Sequence, residues 1–213
     1  MDHGPRISRR AMTVLLGASM LPTGRARAAD LVPTPGQTEG PFYPVSLPAD
    51  DDNDLVRVEG AAARALGTVT HVAGRVLDSR GKPVPGGVVE IWQCDANGIY
   101  RHPRAPGQER FDGGFQGHGR AAVGRDGGYS FRTIRPVPYP GRTPHIHFAV
   151  MVPGQGRFVT QMYVEGEPLN ARDGLLNSIR DPAQRRSVIV PLQPADEIES
   201  EALKARFDIV LEV

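Results

Sequence analysis

The sequence predicts a mainly β protein, an antiparallel β-sandwich with an extended N-terminal arm and few short helices. Three observations carry this. The 213 residues include 25 glycines and 20 prolines, which is high for a helical protein and fits a turn-dense one. Short runs rich in β-branched and apolar residues alternate with clusters of Gly, Pro, Asp and Asn. The length suits one domain with a sizeable core, given typical domains of about 100–200 residues.

The elements follow in chain order. Ser8-Arg9-Arg10 precedes an apolar stretch from Ala11 to Leu21, and Ala26-Arg27-Ala28 has the small-x-small form of a signal-peptidase site. Residues 1–28 are therefore expected to be an export signal cut after Ala28, and the mature chain to be periplasmic or extracellular. The arginine pair resembles a twin-arginine signal, with the general secretory route as the alternative. The apolar run is too short to span a bilayer, and no later run is long enough.

Residues 29–66 read as an extended arm, proline-rich and acidic, in which Gly40-Pro41-Phe42-Tyr43 could line a site or simply pack. The run Asp50 to Asp54 reads as a solvated turn, because Leu55 and Ala61 stand where a calcium loop needs Gly and a bidentate Glu. The β core is expected over residues 67–213. Its strands are placed at His71–Leu77, Val88–Gln93, Tyr129–Ile134, His145–Val152, Phe158–Val164, Ser187–Pro191 and Phe207–Val213. Asp95-Ala96-Asn97-Gly98 and Asp126-Gly127-Gly128 are the clearest turns. Short helices are expected at Asp173–Ile179 and Asp196–Lys204.

Removing residues 1–28 takes away five arginines and one aspartate, which leaves 20 basic against 23 acidic residues, a net charge of −3. Nothing in that balance points to nucleic acid. Cys94 is the only cysteine, so no internal disulfide forms, and without a partner motif it is assigned no role beyond a small buried residue at a strand end.

The densest chemistry lies between Tyr139 and Phe148. His145 and His147 are two apart in a strand, so period-2 geometry puts both imidazoles on one face, where they can grip one metal ion. A bare His-x-His is more often an ordinary pair of strand histidines. A tyrosine and an arginine in the same ten residues strengthen the metal reading, although Tyr43, Tyr129 and Tyr163 read as half-buried phenols with no special role.

With RPVPYPGRTPHIHF at 135–148, WQCDANGIY upstream and TQMYVEGEP downstream, the chain resembles the intradiol ring-cleavage dioxygenases, the protocatechuate 3,4-dioxygenase-like family, from about Thr34 to Glu167. The resemblance implies a non-haem Fe(III) held by Tyr100, Tyr139, His145 and His147. It implies cleavage of a catechol-type substrate (protocatechuate, catechol or hydroxyquinol class) between its two hydroxylated carbons with O2, giving a cis,cis-muconate-type diacid. Tyr139 would be both ligand and base, Arg142 would stabilise charge on the substrate ring, and Gln161 would border the substrate and O2 pocket. Such a ligand set suits ferric iron, since phenolate is a hard anionic donor and the cation itself favours the deprotonated phenol. Only six positions separate Tyr139 from His145, a shorter loop than in the protocatechuate enzymes and one lacking their tryptophan. An altered pocket is implied. The partners expected are an aromatic diol and O2, without nucleic acid or a membrane span, and a homo-oligomer is allowed for.

Two other classes fit parts of the chain. VAGRVLDSRGKPVPGGVVEIW, residues 72–92, shares its turn and strand pattern with transthyretin-like binding modules, which have no use for Tyr139, Arg142, His145 and His147 together. A copper or zinc enzyme could also use the histidine pair, but paired tyrosines favour ferric iron over zinc.

Overall fold

The computed structural model describes residue 1 and residues 30–213; the expected export signal lies outside the described residues. Among the described residues ten strands form two five-stranded sheets. The first is built on β1 (Val69–Asp78), which pairs antiparallel with β4 (Gly128–Ile134) along one side. Its other side is shared by two parallel partners in succession, β9 (Leu203–Arg206) against Thr70–Ala73 and β10 (Ile209–Leu211) against Val76–Asp78. The two-residue β8 (Gln193–Pro194) adds to β9. Gly74 sits at the changeover. A Cβ there would overlap the Phe207 carbonyl oxygen and stand 2.8 Å from the Tyr129 hydroxyl, so only glycine lets the crossing chain pass.

The second sheet runs β3 (His118–Ala122), β2 (Val88–Trp92), β5 (His145–Met151), β6 (Phe158–Val164), β7 (Ile189–Val190), antiparallel except for the last pair. The main core lies between the sheets. Val89, Ile91, Ile146, Phe148, Val150 and Met162 meet Val72, Val76, Phe131 and Phe207 there. The opposite parity of the second sheet faces outward and carries a separate cluster, Trp92, Tyr100 and Ala149, against which Phe42 and Tyr43 of the arm are packed. The sheet is thus buried on both faces, which explains why β5 shows no clean alternation of burial.

The arm is extended as expected, and residues near Asp50–Asp54 do more than form a solvated turn. The Asp52 and Asn53 carbonyls accept from the amides of Arg120 and Arg132, and the Asp54 carboxylate pairs with Arg132 at 3.0 Å, so the run ties the arm to both sheets ahead of the fully buried Leu55 and Val56. Asp196–Lys204 is not a helix. One turn forms after Ala195, Glu201 takes a left-handed φ of 58°, and parallel pairing to β1 captures the chain from Leu203 onward. The strand expected at Ser187–Pro191 shrinks to Ile189–Val190, because a helix, α2 (Pro182–Ser187), occupies its beginning. Asp181 caps α2 from its side chain, and Pro182 is pre-set for the first turn. The helix expected at Asp173–Ile179 is α1 (Gly174–Asn177), with Asp173 as its cap. No helix among the described residues is long and apolar enough to cross a membrane.

Candidate metal centre

Sheet register fixes half of the site. Across the outer face of the second sheet, His118, Trp92, His147 and Gln161 are opposite one another on β3, β2, β5 and β6, and His145 is opposite Tyr163. The two histidines point the same way, as period 2 requires. Their Nε2 atoms are 3.2 Å apart, and both side chains are buried.

Two turns bring the tyrosines to the histidines. After β2 the fully buried Asp95 accepts from the amides of Asn97 and Ile99 with Oδ1 and from that of Asp112 with Oδ2, each at 2.7–2.9 Å. This wraps the chain so that Tyr100 ends buried with its hydroxyl 3.4 Å from His145 Nε2. Tyr139-Pro140-Gly141-Arg142 closes on itself through Arg142 N–H to Tyr139 C=O at 2.9 Å, with Gly141 at φ 82°. Proline then glycine with positive φ is the type II turn pattern. It leaves Tyr139 half-buried at the rim, its ring edge-on to Tyr100 at 5.3 Å and 5.6 Å from His145. Tyr100, Tyr139, His145 and His147 therefore meet at one place.

The donors fit a metal. His145 donates Nδ1–H to the Thr143 carbonyl at 2.6 Å, which leaves Nε2 with its lone pair directed at His147 and Tyr100. Burial pushes His145 down to about 4 and His147 well below the ordinary imidazole value, so both are neutral at physiological pH, the form in which an imidazole can ligate a metal. Burial likewise raises the Tyr100 phenol far above its ordinary value and raises Tyr139 as well, the latter opposed by the Arg142 guanidinium. Without a cation both phenols stay protonated; a strongly Lewis-acidic ion is what would convert them to phenolates. Among the described residues no three His, Cys, Asp or Glu side chains cluster as a metal site; the two phenols are the donors that lie against this histidine pair.

Arg142 is no surface residue. Its side chain is 13% exposed, with Nε donating to Asp173 Oδ2 at 2.8 Å and Nη2 to Gln161 Oε1 at 2.6 Å, while Nη1 is 3.5 Å from the Tyr139 hydroxyl. Gln161 is fully buried, donates through Nε2 to the Thr38 carbonyl at 3.0 Å, and also receives the Tyr163 hydroxyl at 3.1 Å. Tyr163 itself accepts from Gln37 at 2.8 Å. It is thus not the half-buried, uninvolved phenol the sequence suggested; Tyr129, too, is buried, donating to the Phe207 carbonyl.

The arm covers the site residue by residue. A Cβ on Gly40, at φ 75°, would lie 3.4 Å from His147 Cε1. Phe42 stacks on Tyr100 at 5.0 Å, and Tyr43 stands edge-on to Trp92 at 5.0 Å while donating to the buried Glu90 at 3.1 Å. Trp92 in turn lies flat on the His147 ring, 4.8 Å away and 7° from parallel. Glu39 of the arm pairs with Arg157, whose guanidinium sits over the Tyr43 ring at 4.6 Å. Sequence reasoning missed Trp92, Asp173, Tyr163, Gln37 and Glu90. Only the strand-parity match of Trp92 and of Tyr163 to the histidines, through β2 and β6, could have signalled any of them. Cys94 is buried after β2, its thiol 3.6 Å from the Val137 carbonyl and pushed up to about 12 by burial, so it is inert as expected.

The chain matches the family model described as Dioxygenase over residues 38–213. It is 39% identical over 168 residues to the protocatechuate 3,4-dioxygenase beta chain of Burkholderia cepacia, covering 75% of this chain and 71% of that one. It is 31% identical over 218 residues to a hydroxyquinol 1,2-dioxygenase of Nocardioides simplex, covering 92% and 71%. Among solved structures, the dioxygenase domain of a dioxygenase carbohydrate-binding protein fusion from Streptomyces sp. SirexAA-E aligns with a TM-score of 0.66 at 32% identity, over 85% of this chain and 99% of that one. A binding module without catalysis and an unrelated copper or zinc enzyme are both set aside by these matches, and the chain belongs to the intradiol ring-cleavage dioxygenase family.

Proposed function

We propose that this protein is an exported non-haem Fe(III) dioxygenase that opens the ring of catechol-type diols between the two hydroxylated carbons with O2, releasing a cis,cis-muconate-type diacid. The observation that carries the proposal is the convergence of buried groups on His145 Nε2, with the Tyr100 hydroxyl 3.4 Å and His147 Nε2 3.2 Å from it and Tyr139 at the rim. The names of the relatives, protocatechuate 3,4-dioxygenase and hydroxyquinol 1,2-dioxygenase, support the catechol class. Ferric iron held by these four residues would supply a Lewis-acid centre that chelates a diol through both oxygens and makes its ring electron-rich enough to react with O2.

The side chains divide the remaining work. Tyr100 is fully enclosed and stacked under Phe42, so it stays put. Tyr139 is only half-buried at the start of its turn and is the less enclosed of the two phenols; as phenolate it would be the base that takes one proton from the diol at Oη. Arg142 keeps its charge at any working pH and lies beside that oxygen, where it stabilises negative charge on the tyrosinate and on the substrate ring. Gln161 holds the guanidinium in place, and Trp92 fixes the plane of His147. The leader at residues 1–28 supports export, and twin-arginine transport of a folded protein is compatible with a metal inserted before secretion. A leader of 1–28, an arm of 29–66 and a catalytic domain of 67–213 is the organisation proposed.

The test is the visible spectrum of the iron-supplied mature protein, before and after a panel of catechols is added without oxygen, followed by product analysis in air. A broad tyrosinate-to-iron band that shifts with a diol, and a muconate-type product, are expected. A folded, iron-supplied protein with no such band would discard the tyrosinate site.

A further inference from the structure

We infer that Asp173 is a positioning residue for the reaction, a carboxylate outside the ligand set that holds both the Arg142 guanidinium and the backbone from which His145 is aimed. The inference rests on the iron-dependent reading above and extends it by one layer.

Asp173 is 1% exposed, and both of its oxygens are engaged. Oδ1 accepts from the amides of Leu175 and Leu176 at 3.0 and 2.9 Å and caps α1. Oδ2 accepts from Arg142 Nε at 2.8 Å and from the Thr143 amide at 3.0 Å. A buried carboxylate with four donors is fixed in position and orientation. It hands that order on by two routes. Through Nε it sets the guanidinium plane, so that the remaining edge faces Gln161 Oε1 and the Tyr139 hydroxyl. Through the Thr143 amide it anchors the residue whose carbonyl, one peptide further on, receives His145 Nδ1–H at 2.6 Å, the bond that leaves Nε2 free as the ligating nitrogen. Asn170, one turn earlier, reinforces the second route by accepting from Thr143 Oγ1 at 2.7 Å. A helix cap alone would use only one of these oxygens; the other is spent entirely on the loop that joins Tyr139 to His145.

Asp173→Asn separates the two jobs. Asparagine caps helices as well as aspartate does, so α1 keeps its acceptor, while the side-chain amide turns a donor toward two donors. Asp173→Ser is the second variant, since serine also caps but is too short to reach Arg142. The expected result is a kcat lower by about ten- to a hundred-fold with a much smaller change in KM, and a shifted tyrosinate-to-iron band in the substrate complex. In an Arg142→Ala background Asp173→Asn should lower kcat by less than it does alone, because the Arg142 route is already cut and only the Thr143 route remains to be lost. Fully additive losses, or a variant with wild-type kcat and an unmoved band, would overturn the inference while wild-type ring cleavage left the functional reading standing. Hydrogen exchange on the metal-free wild-type protein reads the clamp without any turnover: the Thr143 amide should be strongly protected, and ready exchange at that amide refutes the clamp even if every variant misfolds. Protection at Thr143 in a wild-type enzyme that cleaves no diol would instead overturn the functional reading alone.

Discussion

Gln161→Leu tests whether the network behind the ligands is structural filler or part of the machinery. Leucine has about the volume of glutamine, so no cavity opens; what is lost is polar. The Tyr163 oxygen still accepts from Gln37 at 2.8 Å. Two enclosed donors lose the Gln161 acceptor: Arg142 Nη2–H, which gave 2.6 Å to it and is left with the Tyr163 oxygen at 3.4 Å, and the Tyr163 hydroxyl, which gave 3.1 Å; the carbonyl of the exposed Thr38 turns to water. An unsatisfied buried group costs about 1–3 kcal/mol, and more when charged. The Arg142 side chain is 13% exposed and recovers part of its loss from water, so the sum comes to about 2–4 kcal/mol. For a chain of this size that is a fall in Tm of about 5–15 °C. Circular dichroism melts of the metal-free protein give the stability, and steady-state diol turnover gives the consequence for chemistry, where a loss of about tenfold or more in kcat is expected as the guanidinium loses its second anchor. A variant melting within about 2 °C of wild type and turning over at an unchanged rate would refute the account of Gln161.

Gly74→Ala should be far more damaging than a surface glycine substitution, because a Cβ meets the Phe207 carbonyl where β1 passes from β9 to β10; a loss of about 3–5 kcal/mol is expected in denaturant titration, and a loss under about 1 kcal/mol would show that the crossing chain can yield. Tyr139→Phe should retain iron on the remaining ligands yet slow diol binding in stopped-flow mixing, and unchanged binding rates would remove its role as base. Glu199 is held at about 2 by its hydrogen bonds to Arg132, so the ion pair contributes fully above the ordinary carboxyl value of 4.5 and is lost as pH falls toward 2. With its side chain 27% exposed the contribution is screened to about 1–2 kcal/mol. Glu199→Gln should therefore be less stable than wild type at pH 7 and equal to it near pH 2; a gap that persists at pH 2 contradicts the linkage.

Most of the metal site was legible because its signals are local. Strand parity alone put His145 and His147 on one face, whereas Tyr100 and Tyr139 were singled out only by the family motifs around them, which the Asp95 and Pro-Gly turns then bring to the histidines. Most of the supporting layer was not legible, because Asp173 and Gln37 reach the site across 31 or more than 120 positions of chain, and no periodicity records such contacts. The missed strand β3, with the sequence His-Gly-Arg-Ala-Ala, lacks β-branched residues and exists because β2 offers it a partner. The helix expected at Asp196–Lys204 failed for the converse reason: its last residues were worth more to β1 as a parallel strand.

Trp92 is the chain's single tryptophan, and the fold has placed it against His147 beneath Tyr43. Its emission therefore reports one spot in the molecule. The strand partners of Trp92, His118 and His147, lie 26 and 55 positions away, whereas the cover over it comes from Gln37 to Tyr43, tied to Gln161 and Tyr163 through loops of 123 and 126 residues. Closing such loops is entropically slower than zipping hairpins. In a refolding experiment the backbone signal should accordingly appear first and the tryptophan signal last, so the fluorescence of one residue times the moment when the ligand pocket acquires its roof.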